Sequence, residues 1–212
     1  MLNAMIRDIT MPPRMARRPV SEKGFPVPWF VSMIKGKWDF VNIDPRKYFE
    51  AYKRRICWLC GEPLGQYACF VIGPMCAINR VSAEPATHRD CAEYAVKACP
   101  FLARPNMKRN DAAALAPISA PGAVEHNPGA TLIWVTKSYI PFRNGQGLLF
   151  QLGEPVETLW FAEGRTATRA EIDAAIAKGM PLLRKAAELD GPEGIAEMEA
   201  CVKRAEKLLP VA

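Results

Sequence analysis

The chain has 212 residues, half of them hydrophobic and 24% charged, which is enough to bury a core as one domain or two small ones. Its longest strongly apolar run, residues 68–78, is about half the roughly 20 residues a membrane-spanning helix needs and is broken by Gly73 and Pro74, so no such helix is expected. The formal charge of +6 is unevenly placed: residues 1–110 hold 18 Lys/Arg against 9 Asp/Glu, whereas residues 111–212 hold 10 against 13, a basic half followed by an acidic one.

The opening MLNAMIRDIT lacks the basic segment, apolar stretch and small-residue cleavage site of a secretion signal, so a cytoplasmic location with reduced thiols is expected. The first 30 residues are rich in Pro and Arg and read as an extended arm, packed on the body by Trp29, Phe30 and Val31. Asp44 before Pro45 is a helix-start signal, which predicts a helix to about Ile56 with Tyr48, Tyr52 and Ile56 on one face. Arg46, Lys47, Lys53, Arg54 and Arg55 crowd the rest of that helix.

The stretch YACFVIGPMCAINRV is β-branched and aromatic, and Gly73–Pro74 at its centre predicts a short hairpin. THRDCAEYAVKAC then reads as a helix of about three turns that ends before Pro100, with Thr87 as its N-cap. From residue 105 to 130 the composition shifts to Asn, Ala, Pro and Gly, which marks a linker between a unit at 1–104 and one at 131–212. In the second unit TLIWVTKSY, GLLFQL and ETLWFA read as three strands of an antiparallel meander. Thr168 with Glu171 forms a capping box that opens a helix through about Lys178; Gly179 ends it, Pro181 starts another, and Gly191–Pro192 precede a last helix with an apolar face of Ile195, Met198, Val202, Ala205 and Leu209.

Six of the seven cysteines fall between Cys57 and Cys99, and in a reducing compartment such clustering calls for a metal rather than disulfides. Cys57 and Cys60 offer two thiolates across a tight knuckle. His88 and Cys91, three residues apart at a helix start, offer a second pair on one face. The pattern C-x2-C, 27 residues, H-x2-C is that of a treble clef, and three thiolates with one imidazole make a closed, structural zinc site. Cys99 is the alternate fourth ligand in place of His88. Cys69 and Cys76 read as core residues, and His126 as a solvated loop residue. A treble-clef nuclease would need a histidine on the hairpin to activate water, and the hairpin segment holds none. Arg165 and Arg169 read as partners of acidic neighbours such as Glu163 or Glu171.

The set PVPWFV, CWLCGEPLG, FVIGPMCAINR, HRDCA, ACPFL and GRTATR resembles a family of small bacterial and phage proteins of about this length that carry no assigned function. The resemblance covers residues 11–190 and implies that the chain acts as one unit, with no chemistry attached.

The expectation is therefore an α+β chain: a treble-clef-like zinc module, a small antiparallel β-meander and C-terminal helices. Its expected role is that of a non-enzymatic, zinc-stabilised protein whose basic half, with Arg46, Lys47, Lys53, Arg54 and Arg55, contacts nucleic-acid phosphates. The alternatives are a protein-interaction module that modulates a host factor and a divergent nuclease.

Overall fold

The computed structural model describes residues 1–105, 107, 126–145 and 147–210. The N-terminal arm is less extended than its prolines suggest: a 3-10 turn at Ala4–Ile6 and a one-turn helix α1, Pro13–Ala16, bury Ile6 and Met15. A hairpin follows, with β1 at Val31–Ile34 and β2 at Lys37–Ile43. Helix α2 spans Pro45–Arg54; the Asp44 carboxylate accepts from the Arg46 amide at 3.0 Å, and Arg55 in the left-handed region ends the helix.

The hairpin expected around Gly73–Pro74 does not form. Strand β3, Ala68–Ile72, runs into a short helix α3, Pro74–Asn79, and then a two-residue strand β4, Val81–Ser82. Proline has no N–H to donate, so after an extended Gly73 it fits the first helical position as well as it fits a turn. Helix α4, Arg89–Ala98, comes next, followed by the single turn α5, Pro100–Ala103. The N-cap of α4 is His88 rather than Thr87, whose hydroxyl instead donates to the Cys69 carbonyl at 3.3 Å. Most of the expected linker, residues 105–130, lies outside the described residues.

Beyond it come β5 Thr131–Thr136, β6 Tyr139–Asn144, β7 Gly147–Leu152, β8 Pro155–Ala162 and β9 Arg165–Thr166. They do not form the simple meander expected. The antiparallel sheet order is β3-β5-β8-β9, while the β6–β7 hairpin joins β4 in a second sheet of order β4-β7-β6. Strand β5 is buried at all six positions and so needs a partner on each edge; it pairs with β3 from Ala68↔Thr136 to Ile72↔Leu132, and with β8 on the other side.

Helix α6, Arg169–Leu189, opens with the expected capping box but runs unbroken through Gly179 and Pro181. The reason lies in packing. Ile172, Ala175, Gly179, Leu183 and Ala187 form one buried stripe at spacings of three and four, and burial along it outweighs the roughly 3 kcal/mol that an interior proline costs. Helix α7, Gly191–Ala205, packs beside it with Met198 buried. No helix among the described residues is long and apolar enough to cross a membrane.

The period of two along the four-stranded sheet gives it two buried faces. Phe70, Ile72, Leu132, Trp134 and Trp160 point to the main core with Tyr48, Trp58, Phe150 and Ile172. Cys69, Ile133, Val135 and Phe161 point the other way, onto Ala92 and Val96 of α4. That contact seats α4. Its adjacent face, Cys91, Tyr94 and Ala98, packs with Cys57, Cys60, Ile6 and Met15, so the helix is held between the sheet and the N-terminal arm.

Candidate metal centre

The ligand atoms of Cys57, Cys60, His88 and Cys91 all lie within 4.8 Å of one another. In a tetrahedral zinc site with Zn–S bonds of about 2.3 Å, ligand atoms stand about 3.8 Å apart, so this donor set fits a single ion with little adjustment. The three cysteines are buried and His88 is half-buried. These four residues would hold the ion, and four protein donors would close a tetrahedral shell.

The knuckle is built locally. The amide of Cys57 donates to the Glu62 carbonyl at 2.8 Å and the amide of Gly61 to the Cys57 carbonyl at 2.9 Å, with an antiparallel bridge between Ile56 and Pro63 just outside. Gly61 has φ +82°, and a Cβ there would lie 2.5 Å from Cδ1 of the Trp29 ring, so both the backbone and the packing require glycine. The second half is brought in by a paired exchange between Cys69 and Thr87, each amide donating to the other's carbonyl at 3.0 and 2.7 Å. Residue 88 therefore leaves the edge of β3 and starts α4 directly over the knuckle.

Polar groups around the cluster are arranged for electron-rich ligands. The His88 amide donates to Cys57 Sγ at 3.4 Å and the Glu62 amide to Cys60 Sγ at 3.5 Å. His88 Nε2 lies 3.0 Å from the Pro63 carbonyl oxygen and Nδ1 lies 3.4 Å from Cys60 Sγ. A proton on Nε2 satisfies the carbonyl and leaves the Nδ1 lone pair for a metal, the usual outer-shell arrangement of a ligating histidine. Burial opposes ionisation of Cys57, but hydrogen bonds from the Cys60 and Cys91 thiols and from the Cys60 and His88 amides outweigh it and lower its pKa. Cys91 is the opposite end of the same network, pushed upward by its hydrogen bonds to Cys57 and Cys60 and by burial. A single cation relieves this competition for negative charge. Burial also works against a charged His88, yet its contacts with Cys60 and the Pro63 carbonyl raise its pKa.

Cys99 is not part of the cluster. It caps the far end of α4, about 16 Å from His88 at the helix rise of 1.5 Å per residue, so the alternate all-thiolate site is not assembled. Cys69 is buried in the sheet, and burial pushes its thiol up to about 12, the behaviour of an inert core residue. Arg165 bonds Glu171 at 2.6 and 3.0 Å, and Arg169 bonds Asp173.

The basic residues of α2 are largely engaged. Arg46 pairs with Asp44 at 3.2 Å and Arg54 with Glu50 at 2.5 Å. Lys47 Nζ donates to the Val31 carbonyl at 3.1 Å and lies over the Trp29 ring, and the Arg55 guanidinium stacks on Tyr139. Lys53 is exposed. Sequence reasoning missed the layer over the metal centre, where Arg14 and Arg17 of the arm both reach Glu62 and Arg14 also reaches Asp90 at 3.3 Å. No spacing signals such pairs, because they join residues far apart in the chain.

No protein-family model, no curated protein and no solved structure matches this chain.

Proposed function

We propose that this chain is a non-enzymatic, zinc-stabilised binding protein of treble-clef-like design that contacts nucleic acid through the basic surface of its N-terminal half. The observation that carries the reading is the closed donor set: three sulfurs and one imidazole nitrogen within 4.8 Å of one another, with backbone amides aimed at two of the sulfurs. Four protein ligands fill a tetrahedral shell, so the ion shapes the fold rather than reacting. The knuckle comes before the Cys69–Thr87 exchange and α4 after it, with α3 and β4 between Cys69 and Thr87, and this order supports the treble-clef-like reading.

The partner is argued from the surface beside this module. Residues 31–55, the β1–β2 hairpin and α2, carry seven Lys/Arg against three Asp/Glu, and Phe40 and Phe49 are 46% and 51% exposed among them. Cations for phosphates interleaved with exposed rings for bases suit a single-stranded nucleic acid better than a duplex. The ion pairs of Arg46 and Arg54 are exposed ones of small worth, so phosphates can compete for those guanidinium groups.

The test is a polarisation titration of labelled single-stranded and duplex oligonucleotides at several salt concentrations. Binding that weakens steeply with salt and drops in a Lys53→Ala/Arg54→Ala variant supports the reading; no binding by the zinc-loaded chain overturns it. A second reading, a protein partner, is favoured by exposed Met33, Ile34 and Ile43 on the same hairpin. It predicts a partner lost on Ile34→Ser and insensitive to Lys53→Ala.

A further inference from the structure

The β1–β2 hairpin and the start of α2 enclose an open cleft of about 580 Å³. Met33 and Trp38 stand directly opposite one another across the hairpin and both line the cleft. Side chains that face each other across two antiparallel strands project to the same side, so the thioether and the indole form one apolar wall. Arg46 and Lys47, from the first turn of α2, line the same cleft and supply its positive charge.

Trp38 differs from the other four tryptophans of the chain. Trp58 stacks on Phe30 with ring centroids 4.7 Å apart, and Trp29 lies beneath the Lys47 ammonium. Trp134 Nε1 donates to the Gly153 carbonyl at 3.0 Å and Trp160 Nε1 to the Leu208 carbonyl at 2.9 Å. Trp38 is half-buried, yet among the described residues its ring meets no aromatic or cationic partner and its Nε1 no acceptor. It is an indole held in a cleft with its stacking capacity unused.

The charges beside it are arranged for an anion. Asp44 also lines the cleft, but its carboxylate is taken up by Arg46, whose amide donates at 3.0 Å and whose guanidinium donates at 3.2 and 3.3 Å. Lys47 makes no ion pair with a carboxylate among the described residues, and its ammonium uses one of three N–H donors on the Val31 carbonyl at 3.1 Å. A ring free to stack and a cation free to pair, side by side, match the base and the phosphate of one nucleotide.

We propose that this cleft is a base-binding subsite for single-stranded nucleic acid: one unpaired base stacks on Trp38 beside Met33, and the adjoining phosphate is held by Lys47 and Arg46. The inference rests on the nucleic-acid reading above and adds the residue that selects unpaired strands. The bases of a duplex are already stacked on one another and cannot reach an indole set in a cleft.

The test is a polarisation titration of the full zinc-loaded chain with three labelled probes: a thymidine oligonucleotide, an abasic strand of the same length and charge, and a duplex. The wild-type chain binds the thymidine strand about tenfold more tightly than the abasic strand. Trp38→Ala brings the two strands to one affinity and leaves the abasic strand and the duplex unmoved, whereas Trp38→Phe, which keeps a ring, keeps most of the preference. Lys47→Met weakens both strands by the same factor and makes the salt dependence shallower. A purely structural role for Trp38 predicts instead that all three probes weaken together in Trp38→Ala, with a lower melting temperature, and that result overturns the proposal. So does a preference for thymidine retained by folded Trp38→Ala. Equal, salt-sensitive binding of thymidine and abasic strands by the wild type overturns the subsite but leaves the nucleic-acid reading standing, and this comparison needs no variant to fold. Binding of none of the probes overturns both.

Discussion

His88 Nε2 lies 3.0 Å from the carbonyl oxygen of Pro63, on the far side of the imidazole from the cysteine cluster. This contact fixes both the tautomer and the tilt of the ring, and it ties the start of α4 to the end of the knuckle. It predicts that the histidine acts as a ligand through Nδ1. His88→Ala should lower zinc affinity by 10-fold or more, whereas His88→Cys, which restores a fourth donor without the Pro63 contact, should keep the metal with a lower melting temperature. A competition assay with a chromogenic chelator checks both; equal affinity in wild type and His88→Ala would remove the histidine from the shell.

Gly61 should be intolerant of any side chain. Its left-handed φ and the Trp29 ring 2.5 Å from a built Cβ act together, so Gly61→Ala is expected to cost about 1–3 kcal/mol and to loosen the arm over the metal centre. Urea unfolding, with limited proteolysis of the first 30 residues as the second readout, measures this. An unchanged midpoint would show that the knuckle can shift away from Trp29.

Tyr48 joins three parts of the core through one hydroxyl, which lies 2.9 Å from the Ala83 carbonyl and 2.7 Å from the Leu148 carbonyl. Tyr48→Phe leaves both carbonyls without this donor at no change in ring packing, at a cost of about 1–3 kcal/mol in urea unfolding. A cost near zero would mean that water replaces the hydroxyl and that the contact does not hold α2 to the second sheet.

What the sequence shows and what it hides follow from range. Asp44–Pro45 and Thr168 with Glu171 are local devices, in which a side chain serves a backbone group a few residues away, and both are found where expected; the Cys57/Cys60 and His88/Cys91 pairs are as local, and the fold brings them close enough to hold a metal ion. Gly73–Pro74 is a local signal with two solutions, a turn or a helix start, and tertiary packing selects the helix. The pairing of β3 with β5 joins residues as far apart as Ala68 and Thr136, and no property of either strand names its partner. Arg55 was legible as a cation but not as one stacked on Tyr139, since the ring arrives from a distant strand. Gly179 and Pro181 read as breakers because the continuous stripe from Ile172 to Ala187 makes sense only once α3 and α7 are in place beside it.

Arg89 and Glu157 give a pH signature. The Arg89 guanidinium bonds the Glu157 carboxylate at 2.7 and 2.8 Å and holds its pKa below the ordinary carboxylate range, against a small opposing effect of burial. A carboxyl whose folded pKa is depressed contributes stability that is fully present above its unfolded value, about 4.3, and that is lost as pH falls through the folded value. The melting-temperature difference between wild type and Glu157→Gln should therefore be positive at about pH 7 and shrink on acidification below about pH 4. Because any loss of a bound metal in acid would affect both proteins alike, the difference isolates the pair. A difference constant across that range would assign it to packing instead.

The central claim is that Cys57, Cys60, His88 and Cys91 hold one structural zinc ion. Elemental analysis of the purified chain, wild type beside Cys57→Ser, tests it most directly. One zinc per chain in the wild type, and well under one in Cys57→Ser with a lower melting temperature, is the expected result. A wild-type chain that carries no stoichiometric metal, or a Cys57→Ser chain with the same metal content and the same melting temperature, would contradict it.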